Sequence, residues 1–117
     1  ANAYEIMVGG QKWSWTFTYP NGYSDENLHV PVNRPVRLVM SSADVIHSFW
    51  IPRLAGKLDA VPGHVNRLRI DPAEPGTYAG VCAEFCGLEH AAMRFTTIVH
   101  PAEDYARALA EAAEEDE

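Results

Sequence analysis

The sequence has few cysteines and no long apolar segment. It contains only two cysteines among its 117 residues, which is too few for the disulfide framework of a small secreted protein. No apolar run approaches the roughly 18–20 residues that a transmembrane helix requires. No basic stretch followed by an apolar one resembles a signal peptide. We therefore expect the chain to be soluble as it stands, with any membrane anchor absent from it.

Positive charge is also scarce. Nine lysines and arginines face sixteen aspartates and glutamates, which gives a formal net charge of −7. This acidic excess disfavours nucleic acid as a partner, because the phosphate backbone repels negative surfaces. Five of the acidic residues lie within the last seven positions, so the body of the chain is nearly neutral. Its length fits one domain.

Alternating aromatic residues indicate a strand near the N-terminus. Trp13, Trp15, Phe17 and Tyr19 occupy odd positions with small or polar residues between them, so all four rings share one face of the strand. Further strand candidates follow at short intervals, separated by Pro, Gly and Asn: Asn27–Val30, Val36–Ser41, Ser48–Ile51, Asn66–Ile70, Gly76–Val81 and Phe95–Val99. This pattern predicts an all-β sandwich or barrel.

Helical signals occur only at the C-terminus. Pro101 can open a helix, and the alanine-rich run Tyr105–Ala113 continues it. The acidic residues 114–117 suit a helix C-terminus poorly, since the helix dipole favours cations there, and we expect fraying at that point. The sequence thus divides into a β domain over residues 1–100 and a helix with an acidic tail over residues 101–117.

Metal-binding side chains are concentrated in one short segment. From Cys82 to Met93 the sequence reads C-x-E-x-C-x3-H-x2-M, which also includes Cys86 and His90. Thiolate, imidazole and thioether form a soft ligand set that suits copper or zinc and not magnesium or calcium. The segment lies between two predicted strands and would form a loop at one end of the sandwich. His47, next to another predicted strand, is the best candidate for a further ligand.

Several kinds of site compete for these ligands. A mononuclear blue-copper site uses one cysteine, and a structural zinc site has no need of Met93. Two thiolates that bridge two copper ions give every ligand a place. A disulfide between Cys82 and Cys86 is another alternative, as is a thiol-redox or copper-delivery protein. The thioredoxin-like fold of such delivery proteins requires βαβ alternation, which this sequence lacks.

Four segments resemble one family closely. Asp44–Trp50, Lys57–Gly63, Cys82–Met93 and the aromatic strand that begins at Lys12 are similar to the CuA domain of cytochrome c oxidase subunit II. The resemblance spans about residues 4–100. It implies a cupredoxin-like Greek-key β-barrel, here followed by a short C-terminal helix, and a mixed-valence CuA centre with two copper ions.

The same resemblance assigns a role to each ligand. The implied metal residues are His47, Cys82, Glu84, Cys86, His90 and Met93. The two cysteines would bridge the copper ions and the two histidines would be terminal ligands. The Met93 sulfur and the Glu84 backbone carbonyl would be weak axial donors. The Glu84 side chain would face a magnesium site that is complete only in the full enzyme complex.

Partners and location also follow from the family. It implies that the domain accepts electrons from cytochrome c or a similar donor, with Trp13 as the receiving residue, and passes them to haem in subunit I. The chain would thus serve an oxidase without reducing oxygen by itself. We expect it on the periplasmic side of the bacterial inner membrane in the anchored full-length protein, and as a monomer when isolated.

Overall fold

Two β-sheets and one C-terminal helix make up the described part of the chain. The computed structural model describes residues 4–11, 14–44, 47–54, 57–82 and 93–115. Its strands are β1 Tyr4–Gln11, β2 Ser14–Thr18, β3 Ser24–Asp25, β4 Leu28–Pro31, β5 Val36–Ser42, β6 His47–Trp50, β7 Leu58–Ala60, β8 Asn66–Ile70, β9 Gly76–Cys82 and β10 Arg94–His100, and the helix α1 is Ala102–Glu115. The expected all-β class with one C-terminal helix is confirmed.

Each sheet has five strands. The first has the order β3-β2-β1-β5-β8 and the second the order β4-β10-β9-β6-β7. The pairs β1–β5 and β4–β10 are parallel, and the other neighbours are antiparallel. Parallel neighbours cannot be joined by a tight hairpin and need long connections. The chain crosses between the two sheets several times, so that residues far apart in the sequence become neighbours.

The predicted strands match the observed ones to within one or two residues, with three omissions. The sequence interpretation missed β1, the two-residue β3 and the three-residue β7. The helix α1 includes Glu114 and Glu115, and fraying of the acidic tail stays a prediction. The division of the chain at residue 100 stays a prediction.

Aromatic rings from both sheets fill the core. Trp15 and Phe17 of β2 pack against Phe49 of β6 and Phe95 of β10, and all four are at most 5% exposed. The Phe49 and Phe95 rings stack with centroids 4.9 Å apart, and Trp15 meets Phe49 edge-on at 5.3 Å. Burial of this large apolar area is the main force that holds the sheets together.

A polar network joins the last residue of β10 to β3, β4 and α1. His29 Nε2 lies 3.0 Å from a carboxylate oxygen of Asp25, and His29 Nδ1 lies 3.0 Å from His100 Nε2. The Tyr105 hydroxyl of α1 donates to the His29 carbonyl at 3.0 Å. Burial lowers the pKa of His100, and the neighbouring His29 lowers it further, while Asp104 opposes both.

The lowered pKa of His100 makes stability depend on pH. The unfolded chain binds a proton at His100 near pH 6.5, and the folded chain binds it only at lower pH. We therefore expect the free energy of unfolding to fall as the pH drops below about 6.5. Urea unfolding of the metal-free protein at pH 7.5 and pH 5.5 measures this loss. His100→Gln should reduce it, whereas His64→Gln, at an exposed turn, should not. An equal loss in both variants would contradict the assignment.

Candidate metal centre

Three of the predicted ligands lie at one end of three adjacent strands. His47 is the first residue of β6, Cys82 is the last residue of β9, and Met93 directly precedes β10. The second sheet places these strands side by side in the order β10-β9-β6. The sandwich therefore brings together an imidazole, a thiol and a thioether that are separated by up to 46 positions in the sequence.

The strand register sets which way these side chains point. Cys82 lies directly opposite Phe49, and Val81 lies opposite Arg94. The backbone amide of Cys82 donates to the Met93 carbonyl at 3.2 Å, which adds one more rung between β9 and β10. Opposed residues share a face of the sheet, and His47 shares the face of Phe49 two positions away. All three predicted ligands therefore face the core.

Burial removes these three side chains from water. His47 is 0% exposed, Met93 is 1% exposed and Cys82 is 5% exposed. Histidine is rarely enclosed to this degree without partners for its ring nitrogens, because an unpaired buried polar atom is costly. The hydrogen bonds of His47 therefore indicate what the site can hold.

Only one ring nitrogen of His47 has a hydrogen-bond partner within the described part of the chain. Its Nε2 donates to a carboxylate oxygen of Asp44 at 2.9 Å. Its Nδ1 is buried and has no partner among the described residues. A carboxylate on one nitrogen and an open lone pair on the other is the arrangement typical of a metal-binding histidine. Together with the thiol and thioether nearby, this imidazole suits a soft metal ion such as copper.

The remaining predicted site residues are Trp13, Glu84, Cys86 and His90, and all four lie outside the described residues. Among the residues that are described, no three His, Cys, Asp or Glu side chains form a metal-binding group. His64 is exposed on a turn, and His29 and His100 belong to the network at the other end of β10. None of these three histidines is positioned with His47.

Two features around His47 escaped the sequence interpretation. It gave Asp44 no role at the metal site, but the Asp44 side chain contacts the His47 ring. It also passed over Gly10, whose backbone approaches the same ring closely. A glycine within an otherwise apolar alternating segment signals a close backbone approach, and Gly10 follows Ile6 and Val8 at that spacing.

No helix within the described ranges is long and apolar enough to cross a membrane.

Comparisons with known proteins identify the family. Residues 23–100 match the model of the periplasmic domain of cytochrome c oxidase subunit II. The chain is 48% identical over 101 residues to cytochrome c oxidase subunit 2 of Thermostichus vulcanus, covering 86% of this chain and 31% of that protein. It spans about a third of the length of the first curated relatives it matches.

Solved structures agree with this family in fold as well as in sequence. The periplasmic domain of subunit II of cytochrome oxidase (CoxB) of Bradyrhizobium japonicum superposes with a TM-score of 0.87 at 30% identity, covering 96% of this chain and 94% of that one. A chain of a heme-copper terminal oxidase dimer gives a TM-score of 0.70 at 33% identity, covering 82% and 63%. These similarities confirm the expected cupredoxin-like fold. This chain belongs to the family of periplasmic domains of cytochrome c oxidase subunit II.

Proposed function

We propose that this domain holds a dinuclear copper centre of the CuA type and carries electrons one at a time. The arrangement of His47, Cys82 and Met93 is the observation that supports this most directly. These side chains offer three different soft donors at the buried ends of adjacent strands, and the open Nδ1 of His47 lacks a partner within the described ranges. Membership of an oxidase family that uses copper supports the same choice of metal.

The complete ligand set is part of this proposal. His47 Nδ1 and His90 would be terminal ligands, Cys82 and Cys86 would supply bridging thiolates, and the Met93 sulfur with the Glu84 carbonyl would be weak axial donors. Copper bound there would supply a one-electron carrier. The protein holds the ligands on strand ends within a packed core, so that little moves when the charge changes. Magnesium at the Glu84 side chain stays a prediction for the full complex.

Partners follow from the role of the family. We propose that cytochrome c, or a donor like it, delivers electrons at Trp13, and that haem in subunit I receives them. The chain would then act within an oxidase complex and would reduce no oxygen alone. We also propose that the isolated domain is a monomer. The aromatic layer of Trp15, Phe49 and Phe95 beside the ligand strands would exclude water from the centre.

Copper loading tests the proposed centre. We expect two copper ions per chain and an electron paramagnetic resonance spectrum in which two equivalent copper nuclei share one unpaired electron. His47→Ala should abolish this signal, whereas His64→Ala, at an exposed turn, should leave it unchanged. A signal from one isolated copper would contradict the dinuclear centre. A colourless, redox-silent protein would favour zinc or a disulfide between Cys82 and Cys86 instead.

A weak axial role for Met93 predicts a selective change. Met93→Leu keeps a side chain of similar volume at this buried position but removes the sulfur donor. We expect both copper ions to remain bound and the reduction potential to shift, because axial donors tune copper sites. Copper stoichiometry and protein-film voltammetry measure the two effects. Loss of copper from this variant would mean that Met93 is a principal ligand.

The role of Trp13 is tested by the rate of electron transfer. Trp13→Ala should slow reduction of the copper-loaded domain by reduced cytochrome c while its optical spectrum is unchanged. Trp50→Ala is the matched control, since Trp50 is half-buried outside the core and Lys57 Nζ lies 5.0 Å from its ring centroid. Stopped-flow mixing gives both rates. Equal rates in the Trp13 variant and the unmodified chain would remove Trp13 from the path.

A further inference from the structure

Three neighbours enclose the ring of His47, and only one of them is a hydrogen-bond partner. Asp44 holds its Nε2, the backbone of Gly10 lies against its carbon edge, and Trp15 lies beside it. We propose that Gly10 and Asp44 are positioning residues, which fix the tautomer and the orientation of the His47 imidazole so that Nδ1 is presented to copper. The role in copper binding rests on the proposed function, whereas the contacts around His47 are those of the metal-free chain.

Asp44 determines which nitrogen carries the proton. An ionised carboxylate can only accept a hydrogen bond, so the 2.9 Å contact places the proton on His47 Nε2. In a neutral imidazole the lone pair is then on Nδ1, the atom that lacks a partner among the described residues. The Asp44 backbone amide donates to the Ser42 hydroxyl at 3.2 Å, which holds the carboxylate close to β5. The Asp44 side chain is 32% exposed, whereas the ring it holds is fully buried.

Gly10 determines where the ring can sit. A methyl group at Gly10 would lie 3.0 Å from Cδ2 and 3.4 Å from Cγ of His47, and 3.2 Å from Cζ3 of Trp15. Contacts this short are tighter than most that real Cβ atoms make, so the imidazole or the indole would have to shift by a few tenths of an ångström. The neighbouring Gly9 has room, since a methyl group there would come no nearer than 3.9 Å to any atom outside its immediate neighbours.

The two positioning residues are joined through the backbone. The amide of Ala43 donates to the Gly10 carbonyl at 2.9 Å, so the residue before Asp44 is tied to β1 at Gly10 itself. Gly10 also pairs with Trp15 of β2 and Ser42 of β5. A shift of β1 at this position would therefore disturb both the contact of Gly10 with the His47 ring and the carboxylate that accepts from its Nε2.

Trp15 completes the enclosure of the imidazole. Its ring centroid lies 5.9 Å from that of His47 with the planes inclined by 64°, and Trp15 is 1% exposed. Because Phe49 and Phe95 pack against the same indole, Trp15 has little freedom to move away. With Gly10 against its Cδ2 edge, Trp15 packed at an angle beside it and Nε2 held by Asp44, the ring is oriented before any metal binds.

The tautomer of His47 in the metal-free protein tests the role of Asp44. Nitrogen-15 NMR of the imidazole should show the proton on Nε2 in the unmodified chain. Asp44→Asn should lose this preference, because its amide can either accept from Nε2 or donate to it. Asp44→Ala should show a mixture of tautomers. Copper affinity should fall about 10–100-fold in Asp44→Ala, as is usual when the partner of a metal-binding histidine is removed, and it should fall less in Asp44→Glu, which keeps a carboxylate that can only accept. An unchanged tautomer and affinity in Asp44→Ala would overturn the role of Asp44.

A matched glycine pair tests the role of Gly10. Gly10→Ala should weaken copper binding and change the copper hyperfine pattern, whereas Gly9→Ala should match the unmodified chain. Circular dichroism establishes that each variant is folded. Should Gly10→Ala fail to fold, Gly10→Ala combined with Trp15→Phe, which vacates the nearest indole carbon, takes its place. Identical affinity and spectra in the Gly10 and Gly9 variants would overturn the inference.

The same experiments separate this inference from the proposed function. If the unmodified chain binds no copper pair, the proposed function fails, and the tautomer measurement still decides whether Asp44 holds the ring. If the unmodified chain forms the copper pair but the Asp44 and Gly10 variants form it equally well, the proposed function stands and the positioning role fails.

Discussion

A fully buried imidazole, one of whose ring nitrogens has no partner among the described residues, is the constraint on which this structure depends. Leaving such a polar atom without a partner costs about 1–3 kcal/mol, and a folded domain retains little stability in excess. The cost is tolerated at His47 because the aromatic layer beside it packs well and because Asp44 satisfies the other nitrogen. A ligand that binds Nδ1 would relieve this cost and stabilise the folded state at the same time.

The two-sheet architecture explains how this constraint is met. β6, β9 and β10 are neighbours in one sheet and carry the three described donors at one end, while β1 and β2 of the other sheet supply Gly10 and Trp15. The three candidate ligands therefore come from one sheet, and the surfaces that confine His47 come from the other. The packing of the two sheets against each other consequently also sets the geometry of the site.

The sequence pattern indicates the candidate ligands but says much less about their surroundings. Spacing alone singles out Cys82 and Met93, because soft donors so close together are uncommon, and most strands follow from alternation and turn residues. β1 was missed because its two glycines imitate a turn and Met7 interrupts the alternation. The spacing of Gly10 after Ile6 and Val8 signals a close approach, but the identity of its neighbour, His47, depends on the packing of one sheet against the other, which no local pattern encodes.

The backbone hydrogen bond between Cys82 and Met93 has a consequence for how such a domain can evolve. It closes the ligand segment at its base with a rung of the sheet, so β9 and β10 remain paired up to the residues where the segment begins and ends. Closing a loop of this length costs entropy that changes only slowly with length. Substitutions or insertions within the segment can therefore alter the chemistry of the site while the scaffold is inherited unchanged.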